Sequence, residues 1–350
     1  MNETHFNCPL PLYYEKIVMA HGGGGRLTQQ LLESIIQPIF DNPLLNQKHD
    51  SAVLQIDPSK IAFTTDSYVI NPLFFPGGNI GTLAVCGTLN DLAMSGARPS
   101  YISCSLIIEE GFAIALLTRI LTAMQRSAEQ AGIFIVTGDT KVVDNGKGDG
   151  IYINTAGIGS VDRAVSSHPD CIQEGDNILI NSDLGRHGIS IMLQREGLVF
   201  DNAIRSDCAD LSGLVQALIA AEISIHCMRD LTRGGLSSAL IELADTANCL
   251  IEIDENTLPI RDDVQSACEI LGLDPMFIAN EGCFVLFIPE QDTAKAIQIM
   301  QQHKLGKQAC QIGRVIKKSP DLQPRVSLQT TMGVSRILDL FSGEQLPRIC

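Results

Sequence analysis

The sequence predicts an α+β chain of two domains, and three observations lead there. Its 350 residues suffice for two units that each bury a core. The first half reads β-β-α-β-α-β-β, not as a regular βαβ alternation. A polar, breaker-rich stretch over 162–176, with Ser166, Ser167, Pro169 and Gly175, then separates it from a second half of similar rhythm. The expected division is an N-terminal extension over 1–15, a first domain over 16–162, a second over 163–340 and a tail over 341–350.

In chain order, residues 1–15 contain Pro9 and Pro11 and read as a loose extension. A short strand is expected over 16–20, then His21-Gly22-Gly23-Gly24-Gly25-Arg26 and a helix over 27–36. Four consecutive glycines make a flexible loop whose bare N–H groups can wrap an anion. No Gly-Lys-Ser/Thr ends it, so it is not a Walker A loop. Leu27 stands where the dinucleotide pattern needs Gly or Ala. A plain flexible loop fits these residues as well as a phosphate cover does.

Strands over 52–56 and 60–65 follow, the second ending in Asp66. A helical period over 82–95 carries Asn90 and Asp91. A strand over 101–108, an amphipathic helix over 113–131 and a buried strand over 133–137 lead into Gly138-Asp139-Thr140-Lys141, and a strand over 151–160 closes the half. The second half opens with a strand over 177–181 and helices over 187–195, 212–221 and 235–246. The last is preceded by Asp230-Leu231-Thr232-Arg233-Gly234-Gly235. A strand over 250–253, a helix over 261–271, a strand over 283–288 and a helix over 291–302 complete the unit.

Composition removes several function classes. The formal net charge of −15, with no Trp and five Tyr, argues against nucleic acid, which demands a basic face and stacking aromatics. No run of about 18 apolar residues occurs and the N-terminus lacks a basic flank with an apolar stretch, so neither a membrane span nor export is expected, and the expected compartment is the cytoplasm. Eleven cysteines without a C-x-x-C pair argue against disulfides and zinc knuckles. Cys86, Cys104, Cys249 and Cys268 lie in apolar surroundings and read as core residues.

Carboxylates carry the chemistry. Asp50 precedes a strand, Asp66 ends one, Asp91 sits on a helix and Asp139 follows a strand. Carboxylates at strand ends are expected to gather at one sheet edge, where loops build sites. Each alone is an ordinary cap or turn residue. Together they suit Mg²⁺, which binds through a few carboxylates plus nucleotide phosphates. Lys141, directly beyond Asp139, is placed to contact a phosphate or to be a plain surface lysine. Gly234 and Gly235 at a helix start offer N–H groups to an anion or form a simple cap. Asn280-Glu281-Gly282 offers a base beside a flexible glycine. Cys350, the final residue, follows Gly343 and Pro347 on a segment expected to be mobile. Its ten residues reach at most roughly 35 Å. Such a thiol is either incidental or a swinging arm.

Taken in order, Gly22–Gly25, His49-Asp50-Ser51-Ala52-Val53, Thr64-Thr65-Asp66-Ser67, Asn90-Asp91-Leu92-Ala93, Thr137-Gly138-Asp139-Thr140-Lys141-Val142-Val143, Asp230…Thr232-Arg233-Gly234-Gly235-Leu236 and Asn280-Glu281-Gly282 resemble the ATP-utilising superfamily of aminoimidazole ribonucleotide synthetase and selenophosphate synthetase. With Pro347-Arg348-Ile349-Cys350 the chain resembles the hydrogenase-maturation branch of that superfamily, the HypE family. The resemblance runs from about Lys16 to Cys350. It departs at Leu231, where the family usually has Pro.

The resemblance implies a PurM-like architecture: an N-terminal sheet-and-helix domain that forms the homodimer and the ATP site, and a C-terminal α/β sandwich. It implies a carbamoyl group delivered to Cys350 by a carbamoyltransferase, HypF. ATP-driven dehydration would turn this into a thiocyanate, and the cyano group would pass to iron held by a HypC–HypD complex. Asp50, Asp66, Asp91 and Asp139 would hold Mg²⁺. Gly22, Gly23, Gly24, Gly25, Asn90, Thr140 and Arg233 would hold the nucleotide with them. Cys350, Glu281 and Lys141 would be catalytic, Glu281 as base and Lys141 as its partner. Phosphorylating the amide oxygen makes it a leaving group and needs charge-stabilising donors, while a tethered substrate makes the reaction intramolecular.

Three other readings compete. A thiamine-phosphate kinase-like enzyme would need no terminal Cys. Selenophosphate synthetases carry a reactive Cys or selenocysteine near the glycine loop, and positions 16–26 hold no cysteine. A nucleotide-switched, non-catalytic assembly factor would use the tail as a docking peptide, and ATP turnover that depends on a carbamoylated Cys350 separates it from an enzyme.

Overall fold

The computed structural model describes residues 14–23, 26–47, 54, 60–162, 166–198, 203–321, 323, 325–340 and 348–349. The strand expected over 52–56, apart from Leu54, and Gly24, Gly25, Asp50, Leu346 and Cys350 lie outside them. Helices α1 (Arg26–Leu31) and α2 (Gln37–Ile39), joined by a wider turn over Leu32–Ile36, precede strand β1 (Lys60–Tyr68). The hairpin β2 (Phe74–Phe75) and β3 (Gly78–Asn79) leads into α3 (Ile80–Met94). Then come β4 (Ala97–Glu109), α4 (Ile114–Ala131), β5 (Phe134–Val143) and β6 (Ile151–Val161). The four long strands form one sheet in the order β1-β6-β4-β5, antiparallel except for the β4–β5 pair.

The expected strand over 16–20 shrinks to one bridge between Lys16 and Ala113. The cause is local: the Val18 N–H donates to His21 Nδ1 at 3.0 Å and draws Met19–His21 into a 3₁₀ turn. Strand β1 runs past Asp66 to Tyr68, because Asp66 and Ser67 pair with Thr155 and Asn154 of β6. Likewise β5 runs through the expected Gly138–Lys141 loop. The β4–β5 register slips between Ile102 and Ser103, and a Cβ on Gly138 would stand 2.0 Å from the Cys104 carbonyl oxygen. Glycine is required there by close approach within the sheet, not by a turn.

Helix α3 is the joint between the halves. All of its residues are buried except Thr82 and Asp91, since the first sheet packs on one side and second-half elements on the other. Asn79 caps it, accepting the Gly81 and Thr82 N–H groups at 2.8 and 3.2 Å. An amphipathic stripe would leave one side wet; apolar character all round is what a helix between two layers needs.

The second half contains β7 (Asn177–Ile180), α5 (Arg186–Glu196), α6 (Ser212–Ala220), β8 (Cys227–Asp230), α7 (Gly235–Ala247), β9 (Cys249–Asp254), α8 (Asp262–Leu271), β10 (Phe284–Ile288) and α9 (Thr293–Gln302). The sequence reading stopped at that helix, but β11 (Cys310–Lys318), β12 (Arg325–Gln329) and β13 (Ser335–Leu338) follow. The seven-stranded sheet has the order β13-β12-β9-β11-β7-β10-β8. Alternate residues of β7 and β10 enter two different apolar clusters, one built with α7 and one with α6 and α9. Both strands are therefore buried throughout and read as continuous apolar runs. Strand β11 hides from a period-2 reading because its pairing shifts register twice, between Gln311 and Gly313 and between Val315 and Lys317. Cys86, Cys104, Cys249 and Cys268 are buried free thiols, as their apolar neighbours required.

Candidate active site

The cleft between the halves lies along α3. Along β1, Thr64 and Asp66 alternate with exposed residues and share the face of buried Tyr68. Thr64 Oγ1 donates to Asp91 Oδ2 at 2.9 Å. Burial raises the Asp91 carboxyl above its ordinary value, and the Asp66 charge adds to the effect. Across the cleft, at the end of β8, burial and then repulsion from Asp91 push Asp230 up to about 7. The charge of Asp66 thus raises the cost of ionising Asp91 and Asp230, and Asp91 adds to that of Asp230, a situation that a cation relieves. Among the described residues no three metal-ligating side chains already converge. Mg²⁺ held by one or two carboxylates and completed by phosphate oxygens needs no such cage.

Glu281 projects into this cleft from a loop fixed on three sides. Its N–H donates to both carboxylate oxygens of Asp207 at 3.2 Å, and the Gly282 N–H donates to Asp207 Oδ2 at 3.0 Å. Its carbonyl accepts from Asn90 Nδ2 at 3.2 Å and from the Ala209 N–H at 3.2 Å. Gly282 is held so close that a Cβ would lie 2.1 Å from the Asp207 carbonyl oxygen. The side chain is 3% exposed, and its Oε1 has no hydrogen-bond partner among the described residues. Burial, then the charges of Asp230, Asp207 and Asp66, push its carboxyl well above the usual range, which favours its protonated form. Asn280 anchors the same loop, accepting the Gly185 N–H at 2.7 Å and donating to Leu231 O at 3.1 Å. Leu231, the departure from the family pattern, donates its N–H to Cys283 O at 3.0 Å, a bond that Pro would lack.

Arg348 and Ile349 are held against the body of the protein. The expected mobile tail has a docked penultimate segment: Ile349 is 2% exposed and joins the apolar cluster of Phe75, Ile191 and Ala279. Its carbonyl accepts from His187 Nε2 at 2.8 Å. The Arg348 carbonyl accepts from the Asn71 N–H at 3.3 Å and from Arg195 Nη2, and the Arg348 guanidinium pairs with Asp149.

Other expected members fall elsewhere. Asp66 and Asp139 were expected at one sheet edge, yet β1 and β5 are opposite edges of the four-stranded sheet, roughly 14 Å apart at the usual strand spacing. They also face opposite sides: Asp139 pairs with Ser105, away from α3. One protomer therefore cannot bring both to one metal ion. Lys141 was expected beside Glu281. Instead it pairs with Asp139 at 2.9 Å on that outer face, with both side chains more than half exposed, and its hydrogen bond lowers the Asp139 carboxyl.

Thr140 faces the helices and lines a cavity of about 340 Å³ with Thr28, Leu32, Phe40 and Leu106. A Cβ on Gly22 would lie 2.6 Å from Val142 N, so the glycine run starts against β5. The polar atoms of Asn90 are taken by the backbone of Ala209, Leu211 and Glu281, which makes it a clamp between the halves. Arg233 is exposed, and the Gly235 N–H expected to face an anion is taken by Thr232 O at 2.9 Å. Sequence reasoning missed His187, Ser206, Asp207 and Asp230 as site residues. Asp230 stood inside a quoted motif and was legible there; the other three give no local signal.

The fold and this cleft define a class first. Residues 48–161 match the AIR synthase related protein, N-terminal domain, and residues 173–323 match the AIR synthase related protein, C-terminal domain; the architecture is PurM-like. The chain is 45% identical over 341 residues to the carbamoyl dehydratase HypE of Azotobacter vinelandii, spanning 97% of this chain and 99% of that protein. A crystal structure of the hydrogenase maturation protein HypE in complex with ATP aligns with TM-score 0.92 at 41% identity, over 95% of this chain and 99% of that one. A crystal structure of a HypE–HypF complex aligns with TM-score 0.77 at 42% identity, over 89% and 99%. The chain belongs to the HypE family of carbamoyl dehydratases.

Proposed function

We propose that the chain dehydrates a carbamoyl group carried on the Cys350 thiol to a thiocyanate at the expense of ATP, supplying cyanide ligands for the iron of NiFe hydrogenase. The observation that carries this reading is the burial of Ile349, next to Cys350, in the same apolar cluster as Ala279, two residues before buried Glu281, whose Oε1 has no hydrogen-bond partner among the described residues. Ile349, the neighbour of the carrier residue, and the loop that bears the base are thus buried in one apolar cluster. ATP supplies a phosphoryl group that turns the amide oxygen into a leaving group, and that oxygen departs as part of phosphate.

The chain's own part is to hold the nucleotide and move protons. Asp66, Asp91 and Asp230 would hold Mg²⁺ with the phosphates. Thr140 and the cavity under α1 suit an apolar base. Neutralising Asp66 and Asp230 removes part of the repulsion that keeps Glu281 protonated. Ionised Glu281, desolvated and poorly hydrogen-bonded, then accepts an amide proton. The phosphorylated oxygen then departs as hydrogen phosphate, taking the second N–H proton with it, and leaves S–C≡N on Cys350.

The proposal includes a homodimer. Ile61, Phe63, Ile107 and Phe134 are exposed at 56%, 68%, 43% and 49% on the outer face of the first sheet, where Asp139 and Lys141 also point. A sheet-to-sheet dimer covers these apolar groups and turns Asp139 and Lys141 toward the neighbouring protomer, where a role in its site is open to them. HypF as carbamoyl donor, a HypC–HypD complex as cyanide acceptor and a cytoplasmic setting complete the reading. No described helix is long and apolar enough to cross a membrane. The test is the intact mass of the protein after carbamoylation, before and after Mg-ATP. Loss of one water from the Cys350 peptide is expected, and a carbamoylated peptide that persists while ATP is hydrolysed would overturn the reading.

A further inference from the structure

We infer that His187 is the positioning residue for the carrier thiol, and that Ser206-Asp207 is a bracket setting the carrier's root and the backbone of Glu281 together. The inference rests on the proposal that Cys350 carries the reacting group.

The hydrogen bonds fix the chemistry of His187. Its Nε2 lies 2.8 Å from the Ile349 carbonyl, which can only accept, so Nε2 bears the proton. Its Nδ1 lies 2.8 Å from Ser206 Oγ. That hydroxyl already accepts the Cys208 N–H at 3.0 Å, leaving its own proton to donate to Nδ1. Burial holds the imidazole's pKa below its ordinary value, which keeps this neutral form. The ring is fully buried and meets Phe75 edge-on with centroids 5.4 Å apart. Rotation is thus blocked by packing and by bonds at both nitrogens.

The Ile349 carbonyl is the acyl half of the peptide bond to Cys350, so the bond that holds it sets where the thiol's backbone begins. The Ser206 N–H is tied to Pro76 O at 2.8 Å. The next residue, Asp207, receives the N–H groups of Glu281 and Gly282. Two adjacent residues therefore reach the carrier through His187 and the base through its backbone. An error in either shifts the distance that an intramolecular reaction depends on.

The experiment uses the full chain. His187→Phe keeps the ring volume and removes the donor; His187→Gln places an amide N–H near the position of Nε2. Three rates are measured: alkylation at Cys350 without nucleotide, read on the terminal peptide; carbamoyl loading by the carbamoyltransferase; and single-turnover water loss with Mg-ATP. For His187→Phe, alkylation should rise and water loss should fall, each about tenfold for one lost hydrogen bond, with loading at least as fast as in the parent. His187→Gln should restore both to near the parental rates. Ser206→Ala, which leaves the ring but not its orienting partner, should move both rates in the same direction by a smaller factor and guards against a folding defect in the Phe variant. Parental rates in His187→Phe, or equal losses in the Phe and Gln variants with unchanged melting, would overturn the inference. A parent that never loses water refutes the dehydratase reading, while the alkylation rates still decide whether His187 holds the tail.

Discussion

The side-chain amide of Asn90 donates to the backbone carbonyl of Glu281 at 3.2 Å, linking the central helix of the first half to the base-bearing loop of the second. The same amide donates to Ala209 O at 3.1 Å and accepts the Leu211 N–H at 2.9 Å. One buried side chain thereby sets the spacing between Asp91, on the next residue of α3, and Glu281. Asn90→Ala should take from the Ala209 carbonyl and the Leu211 N–H their side-chain partner, at about 1–3 kcal/mol each. A urea midpoint within error of the parent's would show that the clamp contributes nothing.

Asp230 gives a stability signature with a definite sign. Its folded pKa of about 7 lies above the ordinary 3.8, so the folded chain binds this proton more tightly than the unfolded one. The contribution is fully present below about pH 4 and is lost as pH rises through 7. Without divalent cation, the parent should lose stability over that window more steeply than Asp230→Asn. Denaturation midpoints against pH, with and without Mg²⁺, check this. Parallel curves for the two proteins would remove Asp230 from the electrostatic cluster.

Glu281→Gln should still accept carbamoyl at Cys350 and bind Mg-ATP with parental affinity, because the neutral amide resembles the protonated carboxyl at rest. Water loss should fall by about two to four orders of magnitude, the usual worth of a positioned base. Rapid-quench mass spectrometry of the terminal peptide reads the rate. Thiocyanate formed as fast as in the parent would exclude Glu281 as the base.

Asp66→Ala and Asp91→Ala should each weaken Mg-ATP binding in calorimetric titration. Asp139→Ala should do so only where the protein is dimeric, since Asp139 lies on the opposite edge and face of its own sheet. An Asp139→Ala protein that stays dimeric and binds Mg-ATP normally would place Asp139 outside the site.

Phe63 is 68% exposed on the outer sheet face. Phe63→Asp should turn a micromolar dimer into a monomer, seen by sedimentation, without lowering the melting temperature of the protomer much. A parent that sediments as a monomer with and without nucleotide removes the dimer from the proposal.

Much of the fold was legible along the chain because burial leaves a local period. The apolar character around α3, the alternation in β6 and the continuous runs of β7 and β10 report how many sides of each element are covered. The order of the motifs was legible too, and the Asp230 motif held more than was taken from it. The sequence could not say that β1 and β5 take opposite edges, because strand order depends on how crossovers pack and not on the residues within a strand. That one fact separates Asp66 from Asp139. Nor could it pair His187 with Ile349, 162 positions apart, or set Asp207 under the Glu281 loop. Hydrogen bonds between distant segments leave no period in either segment. The residue types needed for the chemistry are a property of the sequence, whereas their convergence exists only once two sheets close on a shared helix and exclude water from the groups between them.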